Sequence, residues 1–464
     1  AVMPAAAHAG ATVVADTTRG GLLDDPVALG RAPSLTVGST KAALRFSVSG
    51  LSGAPARAVL RLRVTEPSTQ ALNVTPSTEP GFAEDGAAQG GLVLFGPAPV
   101  ASGVPPAAGS WTSFDVTKAV TGNGSVAFEI TGSFLDPVSF SSREGPDAPQ
   151  LLVEPDDATA AALAARLDPR SAPTVRVGAK DDRGRTLDGL DVALSPDPAS
   201  GRYLGVYHSY LDGRFVAQVA TSPDLVTWTH RADLAEHGGQ PSLAVTPAGG
   251  VVVADEQDTP DPKWVSTSAL RIRHYPSVAA LFAGQYDAER VILPRTLAPT
   301  AEGTPQVSVV RWGTGPADSE LRVTFHYYRD VDVDRQAIGM LTNFTTWNAW
   351  VDSATNTLLE GFGIRGAIGD RSDIVYGGRP FGVVEGQVVK NDHRTWRLFL
   401  VDRSRGHARM VSAKLPGGGY SLGNPAVTVL PGPSGAPVLF ASVFAFSEGA
   451  PSEAGSAIAV SPLG

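Results

Sequence analysis

Short apolar runs broken by Gly, Pro, Asn, Asp and Ser recur along the chain, and in its first part they alternate with polar residues at a period of two. That is the pattern of short, half-buried strands joined by turns. Residues 41–51 (KAALRFSVSGL) and 58–64 (AVLRLRV) each keep one apolar face, with Arg61 and Arg63 directed outward. Residues 111–116 lead into a short helical or turn segment at 117–120, and strands follow at 125–131, 138–143 and 148–153. Segment 10–154 therefore predicts one β-sandwich. In 155–173 the character changes: 158–167 is Ala-rich and predicts one helix, stopped by Asp168, Pro169 and Pro173, so this segment reads as an interdomain linker.

From residue 174 a different rhythm begins. Strands are expected at 187–194, 203–210 and 215–220, with Asp212 and Gly213 as a hairpin turn and 222–228 leading to a fourth. Four consecutive antiparallel strands make one propeller blade. The pattern returns in a second blade from Gln240 to about 293, a third from Thr304 to Trp347, and a fourth read as 381–389, 396–402, 408–415 and 426–430. Residues 436–446 and 457–460 supply a fifth, with 174–178 as its closing strand, and TSPDLVTW at Thr221 recurs as LTNFTTW at Leu341. The spacing, roughly 50 to 60 residues, suits blades that bury their faces only against one another. The fold class is all-β: an N-terminal, jelly-roll-like sandwich over 10–154 and a C-terminal five-bladed β-propeller over 174–464.

Composition narrows the function. The 464 residues contain no cysteine, which excludes disulfides, thiolate metal sites and cysteine nucleophiles. A net charge of −9 disfavours nucleic acid or an anionic membrane as partner. Ala7 and Ala9 offer the small residues a signal peptidase needs, so residues 1–9 read as a signal-peptide remnant on a secreted, monomeric protein.

In a propeller the inner strands converge on a central channel, so acids on separate blades come within the few ångströms that glycoside hydrolysis demands. Asp191, Glu302 and Glu385 are expected at this mouth, with Asp188 as the other blade-one acid and Gln240 in the matching place of blade two; Glu256 is its substitute if that strand end turns inward. Arg365, Asp370, Arg371 and Asp373, in GIRGAIGDRSD, are candidates to grip hydroxyls or a uronate. His237 and His326 are the candidate histidines, and the alternating Asp330, Asp332 and Asp334 read as a solvated strand end.

Two resemblances bear on these residues. ADTT at Ala15, AVLRLRV at Ala58, WTSFDVTKAV at Trp111 and SFSSREGPDAPQLLV at Ser139 resemble a DNRLRE-type carbohydrate-binding domain, which implies a jelly-roll-like sandwich attached to secreted polysaccharide-degrading enzymes. Residues 188–228 resemble the first blade of family 43 glycoside hydrolases. Carried over, Asp191 becomes the base and Glu302 or Glu385 the acid, and Gln240 departs from the acid expected in blade two. No cofactor is called for; a central structural cation near His326 is the one ion the resemblance admits. The substrate is then a polysaccharide or oligosaccharide.

Two other readings compete. A polysaccharide lyase would use His326 or His237 with Tyr327 or Tyr207, and Arg365 or Arg371 on a uronate. A lectin-like propeller would bind sugar without turnover. Trp264, Trp312 and Trp350 are available for stacking on a sugar ring, though core packing is their commoner fate.

Overall fold

The computed structural model describes residues 10–19, 32–51, 53–77, 81–82, 98–259, 267–330 and 332–463. Residues 1–9, where the signal remnant is expected, and Trp264 lie outside the described residues. The chain divides into two compact units, Ala1–Ala158 with Arg405–His407, and Thr159–Ser404 with Ala408–Gly464.

In the first unit two antiparallel sheets carry the period-two pattern. One orders Gly10–Arg19, Lys41–Ser49, Gly124–Thr131, Leu72–Pro76 and Ala101–Gly103; the other orders Gln150–Pro155, Pro55–Glu66, Val138–Ser141 and Ser34–Val37, with Trp111–Asp115 also paired to Pro55–Glu66. Leu44, Phe46, Phe128 and Ile130 of the first sheet and Leu60, Leu62, Phe114 and Phe140 of the second share one buried cluster. Arg61 departs from expectation. It is buried, its guanidinium 4.7 Å from the Trp111 ring and donating to Gln150 Oε1 at 3.1 Å. Arg63 is half-buried and paired with Asp147 at 3.2 Å.

The second unit contains five four-stranded antiparallel sheets. Blade I is Asp188–Leu194, Tyr203–Leu211, Arg214–Ser222 and Thr229–Glu236; blade II is Gly238–Val245, Val251–Asp258, Ser268–Tyr275 and Ala288–Val291. Blade III is Glu302–Trp312, Ser319–Arg329, Val333–Thr342 and Thr346–Val351; blade IV is Arg371–Tyr376, Arg379–Gln387, Trp396–Asp402 and His407–Val411. Blade V combines Leu422–Pro431, Pro437–Ala445 and Gly455–Pro462 with Thr174–Val177, the strand from the start of the unit, as its outermost member. The first strands adjoin in sequence around a closed ring, blade V returning against blade I. The arrangement is a five-bladed propeller.

Two sequence expectations are corrected here. Residues 426–430 are not the last strand of blade IV but part of the inner strand of blade V, so the inner strand of blade IV is Arg371–Tyr376 and Glu385 stands on the second strand. A strand carrying Arg371 and Asp373 hides its period because both charges are neutralised inside the protein. The Ala-rich helix, Ala158–Arg166, is no free linker: Ala160, Leu163 and Leu167 pack with Phe381, Leu400, Leu439 and their neighbours, and Arg166 Nε donates to Tyr376 Oη at 3.3 Å.

Candidate functional site

At the channel mouth each inner strand begins with the same four-residue step. Its members are Asp188-Gly189-Leu190-Asp191, Gly239-Gln240-Pro241-Ser242, Gly303-Thr304-Pro305-Gln306, Gly369-Asp370-Arg371-Ser372 and Gly423-Asn424-Pro425-Ala426. In blades I, II, III and V the pairing register shifts across the step, and Gly189, Gln240, Thr304 and Asn424 take left-handed φ of 58°, 46°, 43° and 44°. Such bulges re-aim side chains at sheet rims. The first position is glycine in four blades, and a Cβ on Gly303 or Gly369 would come within 2.1 Å of the Glu256 or Glu385 carboxyl. Blade I alone puts an acid there, Asp188.

The fourth position ties the ring. Asp191 Oδ2 accepts from Leu243 N at 2.9 Å, Ser242 Oγ from Val307 N at 3.1 Å, Gln306 Oε1 from Asp373 N at 2.6 Å, and Ser372 Oγ from Val427 N at 2.8 Å. Ala426 has no acceptor for the last junction, and Asp191 Oδ1 accepts from its own Val192 N at 3.0 Å instead. Asp191 thus repeats a structural position shared with two serines and a glutamine. Burial pushes its carboxyl up to about 6 against the pull of those two amides.

The second strands bring a further layer over the bulges. Their mouth residues are His208, Glu256, His326, Glu385 and Phe444, each opposite a first-strand step. His208 Nδ1 accepts from Gln240 N at 3.2 Å, Glu256 Oε2 from Thr304 N at 3.0 Å, and Glu385 Oε2 from Asn424 N at 2.5 Å while its Oε1 accepts from Asp370 N at 2.9 Å. His326 Nδ1 meets Thr304 Oγ1 at 2.6 Å and its Nε2 lies 3.5 Å from Asp334 Oδ1. Both its nitrogens face protein groups, so His326 does not fit the role of holding a central ion. Burial keeps its pKa below the ordinary imidazole value, opposed by Glu256.

Carboxyl groups from three blades act on one another's charge at this mouth. Asp370 is raised well above its ordinary value, first by burial and then by Glu385, with Asp191 and Asp188 adding to the effect. Glu385 is pushed up to about 7 by burial, with Asp334 and Asp188 adding and its two backbone donors opposing. Burial pushes Asp334 to about 8, against Arg335. The Asp188 Oδ2 lies 3.3 Å from His208 Nε2, and its Oδ1 has no hydrogen-bond partner among the described residues. Asp191, Gln240, Gln306 and Asp370 also border a small pocket of about 20 Å³ on the axis, and a channel of about 530 Å³ continues along the inner strands past Val192, Leu243 and Val427.

The remaining candidates are dispersed. Glu302 is fully buried; its Oε1 accepts from Thr296 N and Leu297 N, at 2.7 and 2.5 Å, so it caps a loop. His237 is exposed beside Asp258 at 3.7 Å. Arg365 donates to Glu360 O at 3.5 Å, and Arg371 is buried against Asp352 at 2.7 Å. Tyr207 donates to Asp181 Oδ2 at 2.6 Å in the blade interior. Trp312 lies against His274, ring centroids 4.8 Å apart, and Trp350 stands half-exposed on the outer strand of blade III. Asp330 and Asp332 are exposed, as expected of a solvated strand end, but Asp334 is turned inward beside His326. Sequence reading missed Asp334; the repeated Gly-x-Pro step, at 239, 303 and 423, was the signal that marks the mouth it faces.

No protein-family profile matches the chain, and no curated protein matches it. Solved structures that it is similar to include glycoside hydrolases at low sequence identity. They include an α-L-arabinofuranosidase from Fusarium graminearum (12% identity, 62% of this chain and 85% of that one, TM-score 0.35). An α-L-arabinanase from Penicillium chrysogenum (13%, 63% and 99%, 0.37) and an endo-arabinase from Bacteroides thetaiotaomicron (9%, 62% and 98%, 0.37) are among them too. The reading of the site rests on this chain's own residues.

Proposed function

We propose that the channel mouth hydrolyses a glycosidic bond, with Glu385 as proton donor and Asp188 as base. The observation that carries this is the pair of environments: burial, with Asp334 and Asp188 adding, pushes Glu385 up to about 7, while Asp188 keeps an oxygen with no hydrogen-bond partner among the described residues. Glu385 gives its proton to the glycosidic oxygen as that bond breaks. Asp188 takes a proton from the water whose oxygen bonds to the anomeric carbon, so one water is consumed per cut. Burial raises the proton affinity of Glu385, and Asp334 and Asp188 add to it. The base moves from Asp191 to Asp188 because both oxygens of Asp191 are taken by backbone amides. Asp188 stands on a bulge, and among the described residues its carboxyl is paired only with the His208 side chain, which can yield.

The lyase is disfavoured by Tyr207, committed to Asp181, and by Arg371, committed to Asp352, since a uronate needs both a base and a cation. The first unit, by its resemblance to DNRLRE-type modules, is proposed to hold the polysaccharide, and the protein to work as a secreted monomer. The test is the pH dependence of cleavage. A proton donor raised to about 7 is loaded below that pH and empty above it, so the rate falls as pH rises through about 7. A rate that keeps climbing into the alkaline range would replace the donor by a proton-abstracting base.

A further inference from the structure

From Asp188 an unbroken run of rings leads outward along one face of blade I. His208, beside Asp188, meets the Phe215 ring edge-to-face at 5.2 Å and 76°. Phe215 meets Tyr210, its cross-strand partner, at 5.1 Å and 67°. His208 is buried, yet Phe215 is 41% and Tyr210 65% exposed. Large aromatic surface left in water is recovered when an apolar face covers it.

Polar groups beside this wall are also incomplete. Asp188 Oδ1 and Gln240 Oε1 are buried acceptors with no hydrogen-bond partner, and Gln240 Oε1 lies against Gly189, 3.0 Å from where a Cβ would stand. Unmet buried acceptors call for a donor. A sugar ring supplies both needs, with C–H groups on its faces and hydroxyl donors on its rim. The carboxyl groups here already raise one another's proton affinity, and a uronate carboxylate at the same place would add a further like charge.

We propose that Tyr210 and Phe215 form a stacking subsite for a neutral sugar ring whose hydroxyls donate to Asp188 and Gln240. The position of the cut next to this ring rests on the glycosidase reading; the subsite itself is read by binding alone. The experiment is affinity electrophoresis of the full chain carrying Glu385→Gln, in gels containing xylan, arabinan, β-glucan or polygalacturonate. At least one neutral glycan retards the protein and polygalacturonate does not. Tyr210→Ala and Phe215→Ala each weaken the retardation about tenfold, and Phe215→Tyr restores it. The proposal is overturned if both alanine variants are retarded like the parent, if polygalacturonate retards as strongly as the neutral glycans, or if none does. Aromatic-dependent retardation in a chain whose unsubstituted form cuts none of them keeps the subsite and removes the hydrolase.

Discussion

Asp188→Asn and Glu385→Gln should each cut turnover by about a hundredfold to ten-thousandfold, the range for losing a positioned proton carrier. Their effects on stability should differ, and the difference is the more informative result. Glu385 Oε1 and Oε2 accept from Asp370 N and Asn424 N. In Gln one of those oxygens becomes a donor facing a donor, which costs about 1–3 kcal/mol for a buried amide left unmet. Asp188 accepts from no backbone amide among the described residues and lies 3.3 Å from His208, so its asparagine variant should unfold at close to the parent's urea midpoint. Paired rate and urea measurements check this. A fully active Asp188→Asn would remove that residue from the chemistry.

Asp191→Ala should destabilise the propeller by about 2–5 kcal/mol, from two buried amides left without acceptors. Val192 N and Leu243 N lose Oδ1 and Oδ2 at once. No neighbouring side chain replaces them, because the adjoining position in blade V is Ala426. A domain's whole stability is about 5–15 kcal/mol, so the loss is large. Asp191→Asn keeps one acceptor and should fall between the two. Urea midpoints measure the effect, and the folded fraction of each variant should turn over at the parent's rate. A stable but inactive Asp191→Asn would restore the role its sequence position first implied.

The sequence showed the blades more readily than the site. Alternation exposes strands whose faces differ in polarity, as in residues 41–51, a continuous aromatic and apolar run marks 203–210, and the repeated turn ending in Trp228 and Trp347 marks two blades. It fails at Arg371–Tyr376, where buried ion pairs to Asp352 and Arg403 let charged residues occupy an inner strand. That failure moved Glu385 one strand inward and left Asp370 among the loop residues. Arg61 misled for the same reason in reverse, its charge covered by Trp111. An acid in a strand says that something satisfies it, not what. Glu302 is held through one oxygen by a loop and Asp191 through both by the ring, while Asp188 faces only a histidine side chain. Only the pairing register separates them, and Asp334 enters the site through a hairpin whose sequence, DVDVD, repeats the same acid three times.

The most direct measurement follows reducing ends and ultraviolet absorbance together while the full chain acts on a panel of neutral and uronic-acid polysaccharides. The account predicts reducing ends released from a neutral polysaccharide with no rise in absorbance, and no release by Asp188→Asn. Absorbance rising with cleavage of a uronic-acid polymer would contradict it in favour of a lyase, and binding with no cleavage of any polymer would contradict it in favour of a non-catalytic propeller.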